Sequence, residues 1–336
     1  MASDRYIAGD IGGTKTALAL YSAENGPTRP LEQAIFPSGQ YDSLEAILRS
    51  FLAGKPVNII GASFGVAGPV IDGQVRVTNL PWFLDARSIS AAIGNAPVTL
   101  LNDLLSIAYA VPFIEPQDLD TIHDGVPTRG GALGILAPGT GLGEGFLVWN
   151  GNRYQAYPSE GAHATFGPSN PLEVKLVEYL LPRYDHISYE RVCSGIGIPN
   201  LYTFLRDSQG LEEPAWLSKQ LAKAVDPTPM IVKAGLENQA AIAVEALELF
   251  VSILGSEAGN LALKVMATGG LYLAGGIPPR IATLLRKETF MHALTNKGRF
   301  ARMLSKIPVH IILQPQVALF GAACHALQGD QTLASS

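Results

Sequence analysis

Two glycine-rich segments of this chain have the composition of an anion-binding turn. The first, IAGDIGGTKTALAL, covers residues 7–20, and the second, GILAPGTGLGEGFLV, covers residues 134–148. Each indicates an apolar strand, a glycine turn and a second apolar strand. Glycines supply the positive φ that a tight turn needs and, lacking a Cβ, let backbone N–H groups approach an anion closely. With Asp10, Thr14 and Thr140 in the turns, the two segments together predict binding of one polyphosphate.

Neither segment fits a commoner phosphate motif. The first departs from G-x-x-x-x-G-K-[ST] because Thr14 occupies the second glycine position, and the Ala-Leu-Ala-Leu run that follows Lys15 and Thr16 continues a strand rather than opening a helix. The second departs from G-x-G-x-x-G because Glu144 stands in the third glycine position. A glycine pair can also simply close a hairpin, but its recurrence with polar neighbours favours a functional reading.

Composition excludes several classes of protein. The 336 residues suggest two domains, and 47% hydrophobic against 16% charged residues supply large cores and material for a subunit interface. A net charge of −5 without a basic stripe argues against a nucleic-acid partner. Cys193 and Cys324, far apart in the sequence, form neither a disulfide framework nor a zinc cluster, so both are expected to be buried packing residues.

No segment predicts a membrane span or a secretory signal. Asp4 and Arg5 precede a short strand with no long apolar stretch before it. Glu245 and Glu248 interrupt the apolar run at residues 240–254, which predicts a core or interface helix. A cytoplasmic protein is therefore expected.

The elements of the first domain place two polar residues where α/β sheets bind ligands. Helical spacing at residues 41–52 and 104–111 alternates with apolar strands at 57–66 and 97–101. Asn102 and Asp103 follow the second of these strands at the start of a helix, the usual position of a ligand in an open α/β sheet. An Asp at this position can equally be a simple helix N-cap.

The second domain repeats the plan and adds helices. After the second glycine hairpin come helices at 171–181, 214–225 and about 234–265, and a short strand at 271–274 leads into Gly275 and Gly276. A strand at 309–313 precedes a last helix from about 317. This duplicated βββαβα-like pattern predicts an α/β protein with the two-lobed, ribonuclease H-like fold of the actin-like ATPases. The predicted small domain covers 1–112 and is completed by the helix at about 317–336; the large domain, with its helical insertion, covers 113–316, and the boundary lies within 112–130.

Six short strings resemble one family across nearly the whole chain, the bacterial glucokinases of the non-zinc type. They occur in that family's order and spacing: GDIGGT from Gly9, LNDL from Leu101, GTGLG from Gly139, SEGAH from Ser159, ERVCSG from Glu190 and LAGGI from Leu273. The related ROK sugar kinases share the first turn but carry a cysteine-rich zinc motif that this chain lacks. Two departures are visible, Lys15 where many members have Asn and Ala162 where many have Gly.

The resemblance implies a set of site residues. Asp103 would be the catalytic base, and the glucose hydroxyls would be bound by Asn102, Asp103, Glu160, His163 and Glu190. Mg²⁺ would be bound through Asp10, and the adenosine of ATP would approach Gly275 and Gly276. The phosphates would contact the residues of the two turns, Gly9, Asp10, Ile11, Gly12, Gly13 and Thr14 in the first and Gly139, Thr140 and Gly141 in the second.

The expected reaction is ATP-dependent phosphorylation of D-glucose to glucose 6-phosphate, the start of glycolysis, by a homodimer. Taken singly, Glu160 and Glu190 are typical of solvated carboxylates and His163 of a structural histidine; Glu160 and His163 also resemble a metal-ligand pair, but no third ligand follows. A kinase for another hexose, such as mannose or fructose, and a non-catalytic sugar-sensing protein stay open as alternatives. So do ADP and polyphosphate as donors.

Overall fold

The computed structural model describes residues 3–333, with side chains described as far as residue 328. The chain divides into two compact units. The first comprises Met1–Glu115 and Gln314–Ser336, and the second comprises Pro116–Leu313. The first unit therefore draws its sequence from both ends of the chain. Residues 334–336 of the expected last helix lie outside the described residues.

The regular elements of the described residues include the strands and helices that the hydrophobic pattern predicts, with further elements between them. Up to residue 115 they are β1 (Ser3–Ile11), β2 (Lys15–Tyr21), β3 (Glu32–Pro37), α1 (Leu44–Leu52), β4 (Val57–Val66), β5 (Gln74–Arg76), β6 (Phe83–Asp85), α2 (Ala86–Ala92), β7 (Val98–Asn102) and α3 (Asp103–Ala110). The second unit contains β8 (Leu119–His123), β9 (Leu133–Pro138), β10 (Leu142–Trp149), β11 (Tyr154–Ser159), α4 (Pro171–Leu180), α5 (Gly197–Asp207), α6 (Ala215–Leu221), α7 (Thr228–Leu236), α8 (Ala241–Val265), β12 (Gly270–Leu273), α9 (Ala282–Leu285), α10 (Glu288–Thr295), α11 (Ala301–Leu304) and β13 (Val309–Ile312). The chain returns to the first unit with α12 (Val317–Leu333).

The sheet of the first unit has the strand order β3-β2-β1-β4-β7. The glycine hairpin joins β1 to β2 in antiparallel pairing, whereas β1, β4 and β7 run parallel. Ile11 pairs with Val66, and Val66 pairs with Asn102, so these three strands end at one edge of the sheet. That edge carries both Asp10 and Asp103.

The sheet of the second unit repeats this order and adds one strand. Its order is β11-β10-β9-β12-β13-β8, and its first five members have the same directions and connections as β3-β2-β1-β4-β7. The extra strand β8 pairs antiparallel with β13 at the far edge. The duplication predicted from the two glycine hairpins is thus present in the strand order.

Both faces of the first sheet are covered. Along β1, Ile7 and Ile11 pack in the cluster that contains α1 and α2, while Tyr6 and Ala8 face α12 on the other side. The period of two along a strand produces this alternation. Small residues bring the helices on that side close together, since a Cβ at Gly321 of α12 would collide with the backbone oxygen of Ser106 in α3.

The core of the second unit surrounds the long helix α8. Most of its residues between Ile242 and Ala262 are buried, including Glu257, which is 0% exposed. A helix that is apolar on all sides belongs inside a protein core. The predicted core helix is confirmed.

Three details differ from the expectations. The segment 234–265 is not one helix, because Asn238 adopts a left-handed backbone (φ 53°) between α7 and α8, whose axes differ by 101°. The strand β8, within the 112–130 stretch, was not predicted. Helix α1 starts at Leu44 rather than near 41, because the Ser43 side chain accepts a hydrogen bond from the Ala46 N–H and caps it there.

Within residues 3–333, no single helix is long and apolar enough to cross a membrane. The bent pair α7 and α8 passes that test jointly, by length and composition only.

Candidate active site

The first glycine turn is closed by backbone hydrogen bonds and by one serine. Gly12 N–H donates to Lys15 O over 3.0 Å, and Ser38 N–H donates to Thr14 O over 3.1 Å. The Ser38 hydroxyl donates to Gly12 O over 2.8 Å, from a position buried beneath the turn. The turn is therefore held from behind by a residue that sequence reasoning missed, since one serine twenty-odd positions downstream carries no motif.

The glycines of this turn act through close packing. A Cβ at Gly9 would lie 2.6 Å from Phe64 Cδ1, and one at Gly13 would lie 3.1 Å from Asn79 Cβ. Neither glycine, nor Gly12, adopts a left-handed backbone. The expectation that they supply a positive φ is wrong for this turn, and their missing side chains are what the structure requires.

Asp10 and Asp103 are two acidic residues at the edge of the sheet where β1 and β7 end. Burial raises the pKa of Asp10, the negative charge of Asp103 raises it further, and Lys15 opposes this shift. Mutual repulsion of two carboxylates is the expected behaviour when they lie close together. Such a pair is suited to a cation, because the cation removes the repulsion.

Asn102 caps α3 and so frees Asp103 from that task. The Asn102 side-chain oxygen accepts a hydrogen bond from Leu105 N–H over 2.6 Å, which is the N-cap contact. The Asp103 Oδ1 accepts from its neighbour Leu104 N–H over 2.9 Å. The residue Asp103 as a whole is exposed in the first unit. Its carboxylate is nevertheless partly shielded from water, and this burial raises its pKa. The N-cap alternative therefore applies to Asn102 rather than to Asp103.

The second glycine turn is backed by the segment that follows Glu190. Gly139 N–H donates to Gly141 O over 2.9 Å within the turn, and Gly195 N–H donates to Gly139 O over 2.7 Å from behind it. A Cβ at Gly139 would meet no atom of the described residues within 4 Å, so that side of the turn is open. Like those of the first turn, Gly139 and Gly141 do not adopt a left-handed backbone.

Glu160, His163 and Glu190 lie on two short turns that pack against each other in the second unit. Glu160 directly precedes the 3₁₀ turn Gly161–His163, and its Oε2 lies 4.0 Å from His163 Nε2; both side chains are exposed. Glu190 belongs to the turn Tyr189–Arg191. Tyr189 N–H donates to Ala164 O over 3.2 Å, which ties the two turns together.

Glu190 also contacts the second glycine turn. Its Oε2 accepts a hydrogen bond from Leu142 N–H over 3.1 Å and occupies the space that a Cβ at Gly141 would need. Ala162, one of the departures from the family pattern, is buried in the core and has no left-handed backbone, so its methyl group is accommodated. A carboxylate is thus held between the predicted phosphate turn and the predicted sugar residues.

A cavity of about 650 Å³ adjoins the second glycine turn. This volume is in the range of sites for small organic ligands. Its lining includes Gly139, Thr140 and Gly276, which the sequence singled out, and Gly195 and Ile277, which end two of the quoted strings. The residues that the sequence did not single out are Asp226, Thr228, Pro229, Val232, Lys233, Leu236, Glu237 and Arg280. These missed residues lie on α7 or within two residues of it, apart from Arg280, which follows β12, and none of them belongs to a quoted string.

The Gly275–Gly276 pair crosses the end of β9 beside this cavity. Gly275 has φ 82°, and a Cβ there would lie 2.6 Å from Pro138 O, so only glycine fits. A Cβ at Gly276 would have no atom within 4 Å in the part of the chain that the structure describes, and Gly276 lines the cavity. Gly275 thus has the positive φ that the glycines of the two predicted turns lack.

The cysteines are buried, as predicted. Cys193 and Cys324 are both free thiols with 0% and 1% exposure, and burial raises the pKa of each thiol.

Among the described residues, no group of three or more His, Cys, Asp or Glu side chains could hold a metal ion. A cation bound here would therefore need ligands from its substrate or from water in addition to Asp10, which is the way Mg²⁺ usually binds with phosphates.

Comparison with known proteins identifies the family. A sequence model described as Glucokinase matches residues 7–329. A glucokinase of Nostoc punctiforme is 42% identical over 332 residues, covering 94% of this chain and 97% of that protein. The crystal structure of a glucokinase from an Antarctic psychrotroph matches with a TM-score of 0.85 at 29% identity, over 97% of this chain and 99% of that one.

A more distant structure agrees in fold. A ROK family glucokinase from Streptomyces griseus, solved in complex with glucose and AMPPNP, matches with a TM-score of 0.62 at 21% identity, over 97% of this chain and 100% of that one. Together with the duplicated strand order, these matches confirm the predicted actin-like ATPase fold. The chain belongs to the glucokinase family of sugar kinases.

Proposed function

We propose that this enzyme transfers the γ-phosphoryl group of ATP to the 6-hydroxyl of glucose, with Asp103 as the base that receives the hydroxyl proton. The main support for this assignment is found at the start of α3. There Asn102 caps the helix, which leaves the Asp103 carboxylate available. Phosphoryl transfer requires positioning and charge neutralisation more than covalent chemistry. The raised pKa of Asp103 makes it a better base than an ordinary carboxylate.

Glucose is bound, in this proposal, by Asn102, Asp103, Glu160, His163 and Glu190. A sugar presents hydroxyl groups that both donate and accept, so its site needs short polar groups in fixed directions. The side-chain oxygen of Asn102 is engaged by Leu105 N–H, which leaves its NH₂ group as the donor for a sugar oxygen. The carboxylates of Glu160 and Glu190 accept from hydroxyls, and His163 Nε2 provides either function according to its tautomer.

ATP is bound, in this proposal, by the two glycine turns and the cavity beside the second. Open space around Gly139 and Gly276 supports close approach of phosphate and nucleoside to the backbone. In the cavity, Val232, Leu236 and Ile277 provide apolar surface for a planar base, and Asp226 and Glu237 can accept hydrogen bonds from its ribose or amino group. Lys233 and Arg280 add positive charge for an anionic ligand.

Asp10 would hold Mg²⁺ through its carboxylate. Bound to the phosphates, the ion would neutralise charge that develops during transfer. The proximity of Asp103, which raises the pKa of Asp10, supports a cation at this edge of the sheet.

We further propose that the enzyme acts in the cytoplasm, where ATP is available, and forms a homodimer. The high apolar and low charged fractions of the sequence support an additional buried interface. Light scattering coupled to size exclusion tests the dimer, which a monomeric mass at micromolar concentration would contradict.

A panel of donors and hexoses in an assay that detects the nucleotide product tests the reaction. Glucose with ATP and Mg²⁺ should give the highest kcat/KM. Mannose and fructose should be poorer acceptors, and ADP and polyphosphate should be poorer donors. A higher kcat/KM for another hexose or another donor would replace that part of the proposal, and absence of turnover with every pair would favour a sugar-sensing protein.

A further inference from the structure

Two glutamates are completely buried beneath the proposed glucose residues. Glu144, on β10, is 1% exposed, and Glu257, on α8, is 0% exposed. Buried carboxylates are rare unless they are paired with a positive charge or hydrogen-bonded to a donor. Neither residue belongs to the proposed catalytic or binding set, so their presence needs a physical reason.

Glu144 supports the turn that carries Glu160 and His163. Glu144 on β10 pairs with Ser159 on β11, and the Glu144 Oε2 occupies the space that a Cβ at Gly161 would need. The Ser159 hydroxyl in turn accepts a hydrogen bond from Gly161 N–H over 3.0 Å. The Glu144 carboxylate therefore packs against the backbone at the start of the Gly161–His163 turn.

Glu257 supports the turn that carries Glu190. Its Oε2 accepts a hydrogen bond from Asn260 Nδ2 over 2.8 Å, and the same Nδ2 lies 2.8 Å from the Tyr189 hydroxyl oxygen. Tyr189 also hydrogen-bonds Glu257 and directly precedes Glu190. The two glutamates thus reach the two turns that carry the proposed glucose residues.

The two carboxylates need a shared proton. Glu144 Oε1 is buried and has no hydrogen-bond partner among the residues that the structure describes. Burial and the charge of Glu257 raise the pKa of Glu144 to about 8, a hydrogen bond with Glu257 acts in the same direction, and Lys264 opposes them. A proton between the two groups would satisfy the unpaired oxygen and leave one negative charge, which Lys264 Nζ balances at 3.4 Å from Glu257 Oε1.

We propose that Glu144 and Glu257, sharing one proton, are positioning residues that hold the Gly161–His163 and Tyr189–Arg191 turns in the arrangement that binds glucose. The proposal rests on the assignment of Glu160, His163 and Glu190 to the sugar. Neither glutamate touches the sugar or the reacting atoms. They act through the backbone of one turn and through Tyr189 of the other.

Loss of the proton should loosen the site. The other titratable groups that interact with the pair are Lys264, Lys297, Tyr189 and Cys193. Burial raises the pKa of Tyr189 and of Cys193, so both stay neutral as the pH rises from neutrality. Burial lowers the pKa of Lys297, whose Nζ donates to Ser256 Oγ over 3.0 Å. When Glu144 loses its proton, the pair therefore carries a second buried negative charge. This charge repels Glu257 beneath the two turns.

The experiment compares glucose KM across pH in the wild type and in Glu144→Gln. Between about pH 7 and pH 9 the wild-type KM for glucose should rise at least about threefold, while the KM for ATP changes less. Glu144→Gln keeps the shape, stays neutral and can donate to Glu257, so its glucose KM should match the wild type near pH 7 and should rise less above it. Glu144→Ala, which removes the contact with Gly161, should raise glucose KM at both pH values.

Two controls make the result specific. Glu173 is also fully buried in the second unit but serves the start of α4, accepting from Ser169 N–H and Asn170 Nδ2, so Glu173→Gln should retain the wild-type pH dependence of KM. An infrared difference spectrum of the wild type against Glu144→Gln near neutral pH should contain the band of a protonated carboxylic acid. Absence of that band in a folded protein would overturn the shared proton.

A failure of the positioning role can be distinguished from a failure of the glucose site. Glu160→Gln should raise glucose KM if Glu160 binds the sugar, and an unchanged KM would remove the sugar site itself. If Glu160→Gln raises glucose KM but Glu144→Gln retains the wild-type pH dependence, the glucose assignment holds and the positioning role of Glu144 is wrong.

Discussion

The negative charge of Asp103 raises the pKa of Asp10, although the two residues are more than ninety positions apart in the sequence. They come together because β1 and β7 run parallel on either side of β4 and end at the same edge. Asp10 lies on β1 just before the first glycine turn, and Asp103 starts α3. One of these neighbouring carboxylates can therefore bind a cation while the other accepts a proton.

Replacing Asp10 with Asn should weaken the use of Mg²⁺. An amide is a poorer ligand than a carboxylate for this hard cation, so the Mg²⁺ concentration for half-maximal activity should rise at least about tenfold, or roughly 1.4 kcal/mol. Activity titrations with Mg²⁺ at saturating glucose check this. Asp85→Asn is the matched control, because Asp85 caps α2 through Arg87 N–H and should leave the titration unchanged. An unchanged curve for Asp10→Asn would remove Asp10 from the metal site.

Side chains at Gly276 should obstruct ATP and not glucose. A Cβ there meets no atom within 4 Å, so Gly276→Ala and Gly276→Val should fold normally while occupying part of the cavity. The KM for ATP should increase from Ala to Val, by at least about tenfold for Val, with glucose KM changing much less. Ala91→Val, at an exposed position of α2 away from both glycine turns, should alter neither constant. Equal changes in the KM for ATP and the KM for glucose would contradict the assignment of this cavity to the nucleotide.

The sequence predicted those elements that have a local signal, whereas the helices α2, α5, α9, α10 and α11 and the strand β8 were not predicted. The two hairpins, the apolar strands at 57–66 and 271–274 and the buried helix α8 follow from periodicity and glycine content. The break between α7 and α8 was missed because it depends on the single left-handed residue Asn238. Periodicity alone continues across such a residue.

The proposed site was only partly accessible to sequence reasoning. Asp103 and Glu190 were found through short motifs, but the motifs could not separate the cap, Asn102, from the free carboxylate. Ser38, Lys233, Arg280 and the Glu144–Glu257 pair depend on contacts between distant segments. Such contacts leave no spacing in the chain.

The stability of the protein should fall with rising pH through Glu144. Its pKa in the folded state, about 8, lies above its ordinary value of 4.5, so the folded state binds the proton more tightly than the unfolded chain does. The resulting stabilisation is complete below about pH 4.5 and is lost as the pH rises through about 8. Urea unfolding across this range should therefore show a smaller decline for Glu144→Gln than for the wild type. Parallel declines would contradict the raised pKa.

Activity should depend on Mg²⁺ and not on zinc. Cys193 and Cys324 are buried packing residues, so Cys193→Ala with Cys324→Ala should retain turnover, although the smaller side chains should reduce stability by about 1 kcal/mol each. EDTA should stop the wild-type reaction, and added Mg²⁺ should restore it. A zinc-selective chelator in excess Mg²⁺ should have no effect, and stoichiometric zinc lost together with activity would overturn this view.

The most direct test of the account is the kcat of Asp103→Asn measured beside its affinity for glucose. Asn retains the shape and the hydrogen-bonding reach of Asp but cannot accept a proton, so kcat should fall at least about a hundredfold. The Kd for glucose from calorimetry should change by less than about threefold, and Asp85→Asn should behave as wild type. A folded Asp103→Asn enzyme that binds glucose and retains a near-normal kcat would contradict the assignment of Asp103 as the base.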